Sequence, residues 1–190
     1  MDDDLEILFD EEAIEERVRE LAEQMSRDYA GKELVLICVL KGAALFTADL
    51  ARHITVPVIM EFVRAASYRN GTVQATEVTI EQDVVSDIRG KNVIIVDGIV
   101  DSGSTLACLL ARYGTLGPAS MRVAVLLDKR SRRKMDVQID YRGFEIPDRF
   151  VVGYGMDAGE QYRNLPYIAA LGPESGAIPV SDALPSGGSS

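Results

Sequence analysis

Three apolar runs restrict the folds open to this chain. Leu34-Val35-Leu36-Ile37-Cys38-Val39-Leu40 is uninterrupted, Val93-Ile94-Ile95-Val96 is mostly β-branched, and Met121 to Leu127 is nearly continuous. A strand that faced water on one side would alternate polar and apolar residues. Continuous runs are what strands need when helices cover both faces of a parallel sheet. Helical stretches lie between these runs, and strand–helix alternation predicts an α/β fold with a mostly parallel central sheet flanked by helices.

The connecting segments agree with that reading. Ile14, Val18, Leu21 and Met25 share one helical face, with Asp10 as N-cap, a helix running through Ala30, and Gly31 in a left-handed position beyond it. Ala43 to His53 and Leu106 to Ala111 read as two further helices, and Val58 to Val63, Glu77 to Glu81 and Phe150 to Val152 as further strands. From Arg64 to Thr76 the pattern dissolves into a polar loop with an Asn70-Gly71 turn, a length that suits a lid or a hairpin tip. The expected order is helix, strand, helix, strand, loop, strand, strand, helix, strand, strand. Residues 1–171 form the expected domain, and the Gly-, Pro- and Ser-rich stretch 172–190 reads as a flexible tail.

Composition removes some classes of function. The formal net charge is -10, which argues against a nucleic-acid binder with its basic face. No apolar run approaches the roughly 18 residues of a membrane span. Met1-Asp2-Asp3-Asp4 is acidic where a secretory signal would be basic. Cys38 and Cys108 sit in apolar runs and read as reduced, buried thiols, so a cytoplasmic protein is expected. His53, the one histidine, lies near a helix end as a surface or capping residue, and no Cys/His spacing suits zinc.

The strand ends carry the chemistry. Lys41-Gly42 follows the first run, Asp97-Gly98-Ile99-Val100-Asp101-Ser102-Gly103-Ser104-Thr105 the second, and Asp128-Lys129-Arg130-Ser131-Arg132-Arg133-Lys134 the third. Open α/β sheets bind ligands at the carboxyl ends of their strands. A hydroxyl- and glycine-rich turn running into a helix aims N–H groups at one point and suits a phosphate. Gly98 to Thr105 approaches the nucleotide-hydrolase loop G-x-x-x-x-G-K-[ST], but Ser104 stands where that loop needs its lysine.

The central stretch resembles the phosphoribosyl-pyrophosphate motif of the hypoxanthine (hypoxanthine-guanine) phosphoribosyltransferases: two acids, two apolar residues, then Asp-Thr/Ser-Gly-x-Thr. The resemblance extends from the first helix to Ile168. It includes Lys41-Gly42, Ser67-Tyr68, Leu127-Asp128-Lys129, Ile146 to Tyr154, and Asp157 with Arg163. It implies a type I phosphoribosyltransferase fold with a small hood and a mobile lid. It also implies Mg²⁺-dependent purine salvage from phosphoribosyl pyrophosphate and a 6-oxopurine in a homodimer or homotetramer. By resemblance, Ser102, Gly103, Ser104 and Thr105 hold the 5-phosphate. Asp101 takes a proton from purine N7, and Asp97 meets the ribose hydroxyls and metal. Lys41 (chiefly through its backbone), Gly42 and Arg163 hold pyrophosphate. Phe150 stacks on the base, Lys129 donates to its 6-oxygen, Val151 reads its edge, and Asp157 lies at the base site facing Mg²⁺. Ser67 and Tyr68 close the lid.

One position departs from the motif. Members carry Glu-Asp where this chain has Asp97-Gly98, which shortens one acid and removes the other. Two expectations follow: an active but impaired enzyme that a Gly98→Asp change would repair, or a regulatory relative that binds nucleotide or phosphoribosyl pyrophosphate.

Overall fold

The computed structural model describes residues 5–69 and 76–172. The expected tail beyond residue 172, the tip of the expected lid at 70–75 and the acidic first four residues lie outside them. Six strands form the main sheet: β2 (Leu34–Leu40), β3 (Val58–Arg69), β4 (Thr76–Gln82), β5 (Asn92–Val100), β6 (Ser120–Asp128) and β7 (Tyr141–Glu145). Their order is β4-β3-β2-β5-β6-β7, with only β4 antiparallel to its neighbour.

The apolar runs are therefore the inner strands, and their alternate residues serve opposite faces. Leu34, Leu36, Ile94, Val96, Ala124 and Leu126 pack toward α1 (Glu11–Asp28) and α2 (Ala44–His53). Val35, Ile37, Val39, Ile95, Val123 and Val125 pack with Leu106, Leu109 and Tyr113 of α3 (Ser104–Gly114). Burying both faces explains why no polar residue interrupts β2.

The α1 cap is as read: the Ala13 N–H donates to Asp10 Oδ1 at 2.9 Å. The helix closes at Asp28, two residues earlier than expected, and Gly31 adopts φ +73°. His53 is exposed at the end of α2, and both cysteines are free, Cys38 buried and Cys108 partly so.

Three readings need correction. The chain does not leave the sheet at Val63. β3 continues to Arg69 and pairs with β4 up to Arg69↔Thr76, so most of the supposed loop is the arms of a hairpin. Phe150 precedes β8 (Val151–Val152) rather than lying in it. A second, three-stranded sheet, β1-β9-β8, joins β1 (Leu5–Phe9) to β9 (Ile168–Leu171), and neither β1, β9 nor β7 was expected. This small sheet is separate from the main one, and its strand β8 holds Val151, which the resemblance gives to the base. Among the described residues no helix is long and apolar enough to cross a membrane.

Candidate active site

The carboxyl ends of β2, β5 and β6 lie side by side, since the three strands are adjacent and parallel. This register gathers Lys41-Gly42, Asp97 to Thr105 and Lys129 at one edge.

The turn after β5 has the features of an anion cradle. Gly103 is the α3 N-cap at φ +84° and has no side chain to cap with, and the first N–H of the helix, that of Ser104, donates to Ser102 Oγ at 3.3 Å. The first N–H groups of a helix lack intrahelical partners and carry the positive end of its dipole. Ser102 Oγ and Ser104 Oγ lie 3.0 Å apart across the turn. A Cβ on Gly103 would meet Arg133 Cδ at 3.1 Å and the Met135 carbonyl at 3.2 Å, so the position needs glycine for both conformation and space. The turn is clamped from outside as well: the Lys134 and Met135 N–H groups both donate to the Ser102 carbonyl at 3.0 Å.

Arg133 links this cradle to the next strand. Its guanidinium pairs with Asp128, which is 1% exposed and also pairs with Arg142 at 2.9 Å. A buried carboxylate needs such partners. Lys129 follows directly and is itself buried, its N–H bonded to the Val100 carbonyl at 3.0 Å. The basic cluster thus divides into Lys129 against the sheet edge, Arg133 inside, and Arg132 outside. Arg132 Nε donates to Asp101 Oδ1 at 2.9 Å, and its Nη1 reaches Asp148 at 3.2 Å. Asp148 stands two residues before Phe150, whose ring side is open, with 57% of the residue exposed. Val151 is buried in β8, paired with Ala170.

Asp97 keeps a little surface, but burial of its carboxyl pushes its pKa up to about 7, with the Gly98 and Ile99 N–H groups pulling the other way. Its neighbour Gly98 is a packing glycine. A Cβ there would lie 2.8 Å from the Gly42 carbonyl oxygen and 3.0 Å from Met156 Sδ. Gly155, at φ +97°, is blocked by the same Gly42 carbonyl. The loop after β2 is therefore wedged between β5 and the segment after β8.

That segment supplies the last group of residues. Arg163 Nη2 pairs with Asp157 Oδ1 at 2.8 Å, and Nη1 donates to the Gly155 carbonyl at 2.7 Å. Asp157 Oδ2 accepts the Glu160 N–H at 2.9 Å. Glu160 Oε2 in turn meets Lys41 Nζ at 2.8 Å and Arg163 Nη2 at 3.4 Å. Ser67 and Tyr68 lie in β3, their backbones paired with Val78 and Glu77.

Sequence reasoning missed the parts played by Arg132, Arg133, Asp148, Met156 and Glu160. Arg132 and Arg133 were visible as a basic cluster, and Glu160 as an acid midway between Asp157 and Arg163. Asp148 lay within the segment Ile146 to Tyr154 but was given no role of its own, and nothing local marked Met156.

A parallel sheet with a phosphate cradle beside a buried acid at its carboxyl edge defines a class of phosphosugar-binding α/β proteins. The chain belongs to the phosphoribosyl transferase domain family, which matches residues 4–158. It is 42% identical over 165 residues to the hypoxanthine-guanine phosphoribosyltransferase of Streptococcus thermophilus, covering 87% of this chain and 92% of that one. It is 43% identical over 169 residues to the hypoxanthine phosphoribosyltransferase of Salmonella typhimurium, covering 88% and 95%. Among solved structures it resembles a Bacillus anthracis hypoxanthine-guanine phosphoribosyltransferase with a TM-score of 0.84 and 47% identity, covering 87% and 98% of the two chains. A Staphylococcus aureus hypoxanthine phosphoribosyltransferase gives 0.87 and 42%, covering 90% and 94%.

Proposed function

We propose that this protein transfers the 5-phosphoribosyl group of phosphoribosyl pyrophosphate to hypoxanthine or guanine in purine salvage, giving IMP or GMP and pyrophosphate. The observation that carries the reading is the hydroxyl-lined turn through left-handed Gly103 into α3, with Asp101 at its mouth and Asp97 four residues before that acid.

In the reaction a purine nitrogen bonds to ribose C1, and the bond from C1 to the pyrophosphate oxygen breaks. Ser102, Gly103, Ser104 and Thr105 hold the 5-phosphate. Asp97 binds the ribose hydroxyls, and carboxylates near C1 favour the positive charge that builds there. Asp101, with Oδ1 held by Arg132, accepts the N7 proton through its other oxygen. The Lys41-Gly42 backbone and Arg163 receive the departing pyrophosphate. Phe150 stacks on the base, Val151 reads its edge, and Lys129 donates to the 6-oxygen. An amino group at that position would leave the lysine without an acceptor, so adenine is rejected. The hairpin that carries Ser67 and Tyr68 closes over the site and excludes water.

A magnesium ion fits the donors present. Mg²⁺ takes few protein oxygens and keeps substrate phosphates and waters. Asp97, whose carboxyl is bonded by the Gly98 and Ile99 backbone N–H groups, and Asp157, whose oxygens meet Arg163 and the Glu160 N–H, would be the residues that hold it. When bound, the ion neutralises pyrophosphate charge. The same reading takes residues 1–171 as the catalytic unit, working as a homodimer or homotetramer.

The test is a Mg²⁺-dependent assay with phosphoribosyl pyrophosphate and hypoxanthine, guanine, xanthine and adenine in turn. Turnover is expected with hypoxanthine or guanine and not with adenine. Failure with every base, despite retained nucleotide binding, sinks the enzymatic reading.

A further inference from the structure

Glu160 is the residue of this site that the reaction leaves unused. Its carboxylate lies between Lys41 Nζ, at 2.8 Å, and Arg163 Nη2, at 3.4 Å. Arg163 and the Lys41-Gly42 backbone receive the departing pyrophosphate in the proposed reaction, and the Lys41 ammonium belongs to the same residue as that backbone. The placement is built rather than incidental. Glu160 sits at φ +68°, in the left-handed region that side chains rarely adopt, directly after Gly159 at φ +59°. Asp157 holds that turn by accepting the Glu160 N–H, and Ala158 and Gln161 bond across it.

We propose that Glu160 is a tethered stand-in for a phosphate oxygen, occupying the pyrophosphate subsite when it is empty and displacing pyrophosphate when the reaction is over. A carboxylate bridging an ammonium and a guanidinium offers the same charge-assisted contacts as a phosphate oxygen. The proposal rests on the assignment of that subsite to pyrophosphate. The supports of the two cations differ in a useful way. Arg163 stays anchored by Asp157 at 2.8 Å and by the Gly155 carbonyl at 2.7 Å when Glu160 leaves. Glu160 is 65% exposed and can swing into water. Exchange therefore costs two exposed contacts, to Lys41 and Arg163, and leaves the receiving guanidinium in place.

The experiment is calorimetric titration of inorganic pyrophosphate with Mg²⁺ into the wild-type protein, Glu160→Gln and Glu160→Asp, with product inhibition by pyrophosphate measured beside it. Exposed ion pairs are each worth a factor of a few, so Glu160→Gln is expected to bind pyrophosphate about three- to tenfold more tightly, with the inhibition constant falling by the same factor. Glu160→Asp keeps the charge but is too short to bridge, and should follow Glu160→Gln. Unchanged or weaker binding by Glu160→Gln overturns the proposal. So does a Glu160→Asp protein that behaves as wild type beside a tighter Glu160→Gln, which would make the effect one of charge alone. If the wild-type protein binds no pyrophosphate, or Arg163→Gln does not weaken its binding, the subsite assignment falls first and takes the proposal with it.

Discussion

Asp97 and Gly98 are adjacent in β5 and answer to different forces. Asp97 is governed by solvation. Its folded pKa of about 7 lies above the ordinary 3.8, so the fold prefers the neutral acid. Ionisation of the unfolded chain then works against folding. The penalty is absent below the ordinary pKa, grows as pH rises, and is complete above about 7. Asp97→Asn should therefore stabilise the protein at pH 8 by roughly 1–3 kcal/mol and change little near pH 4, as read from urea midpoints at the two pH values. An equal gain at both would contradict the burial argument. A ligand that needs the carboxylate must also expel its proton, so affinity for magnesium phosphoribosyl pyrophosphate should climb with pH to about 7 and lose that slope in Asp97→Asn.

Gly98 is governed by space. The sequence comparison with the family motif invites Gly98→Asp as a repair, but a Cβ at 98 meets the Gly42 carbonyl at 2.8 Å and Met156 Sδ at 3.0 Å. Gly98→Ala and Gly98→Asp should both lower stability, by about 1–3 kcal/mol, as overpacking does. Both should also raise KM for phosphoribosyl pyrophosphate by displacing the Lys41-Gly42 loop. If Gly98→Asp instead raised kcat/KM while Gly98→Ala lowered it, the missing acid would matter more than the contact.

At the scale of elements, the site depends on how β6 is tied to α3. Arg133 runs from buried Asp128 to the back of Gly103, and donates to the Val137 carbonyl at 3.1 Å. Removing one partner of a buried ion pair leaves a charge uncompensated, at about 3–5 kcal/mol, and Arg142 keeps part of that compensation here. Arg133→Met is expected to cost about 1–3 kcal/mol on that basis. It should also weaken 5-phosphate binding, measured as affinity for ribose 5-phosphate, more than purine binding. A variant with lowered Tm but unaltered phosphate affinity would reduce Arg133 to a purely structural residue. This coupling was not readable beforehand, because a run of basic residues says nothing about which one turns inward. The length of the β3–β4 hairpin arms was hidden for a related reason, although the hairpin itself was among the readings. Ala65, Ala66 and Ser67 carry no strand pattern of their own and are strand only through pairing with Ile80, Thr79 and Val78.

For the whole molecule, what could be read was whatever needed only a local pattern. The inner strands, three helices and the gathering of Lys41, Asp97 and Lys129 at one edge follow from apolar periodicity and from what stands at each run's end. The second sheet did not follow. β9 is Ile168-Ala169-Ala170-Leu171, too short and too alanine-rich to signal a strand, and its partner β1 lies more than 150 residues away in sequence. β7 was masked by Gly143, which reads as a break but is required because a Cβ there would strike the Leu126 backbone. The candidate site residues were proposed from motif order, while the partners they have in the fold were set by contacts that only the folded chain brings together. Because β1 pairs with β9 and β9 with β8, the N-terminal strand supports the segment proposed to read the base. Deleting residues 1–9 should raise KM for the purine severalfold while leaving KM for phosphoribosyl pyrophosphate nearly unchanged. A uniform loss of both would mean that the small sheet serves stability alone.

Met156 gives the wedge at Gly42 a practical use. Its thioether touches the space above Gly98 and lies 3.9 Å from where a Gly42 side chain would begin. A methyl group labelled with ¹³C at this one sulfur would act as a built-in gauge of the loop proposed to receive the leaving group. Its resonance would register each arrival and departure without any label placed among the reacting residues.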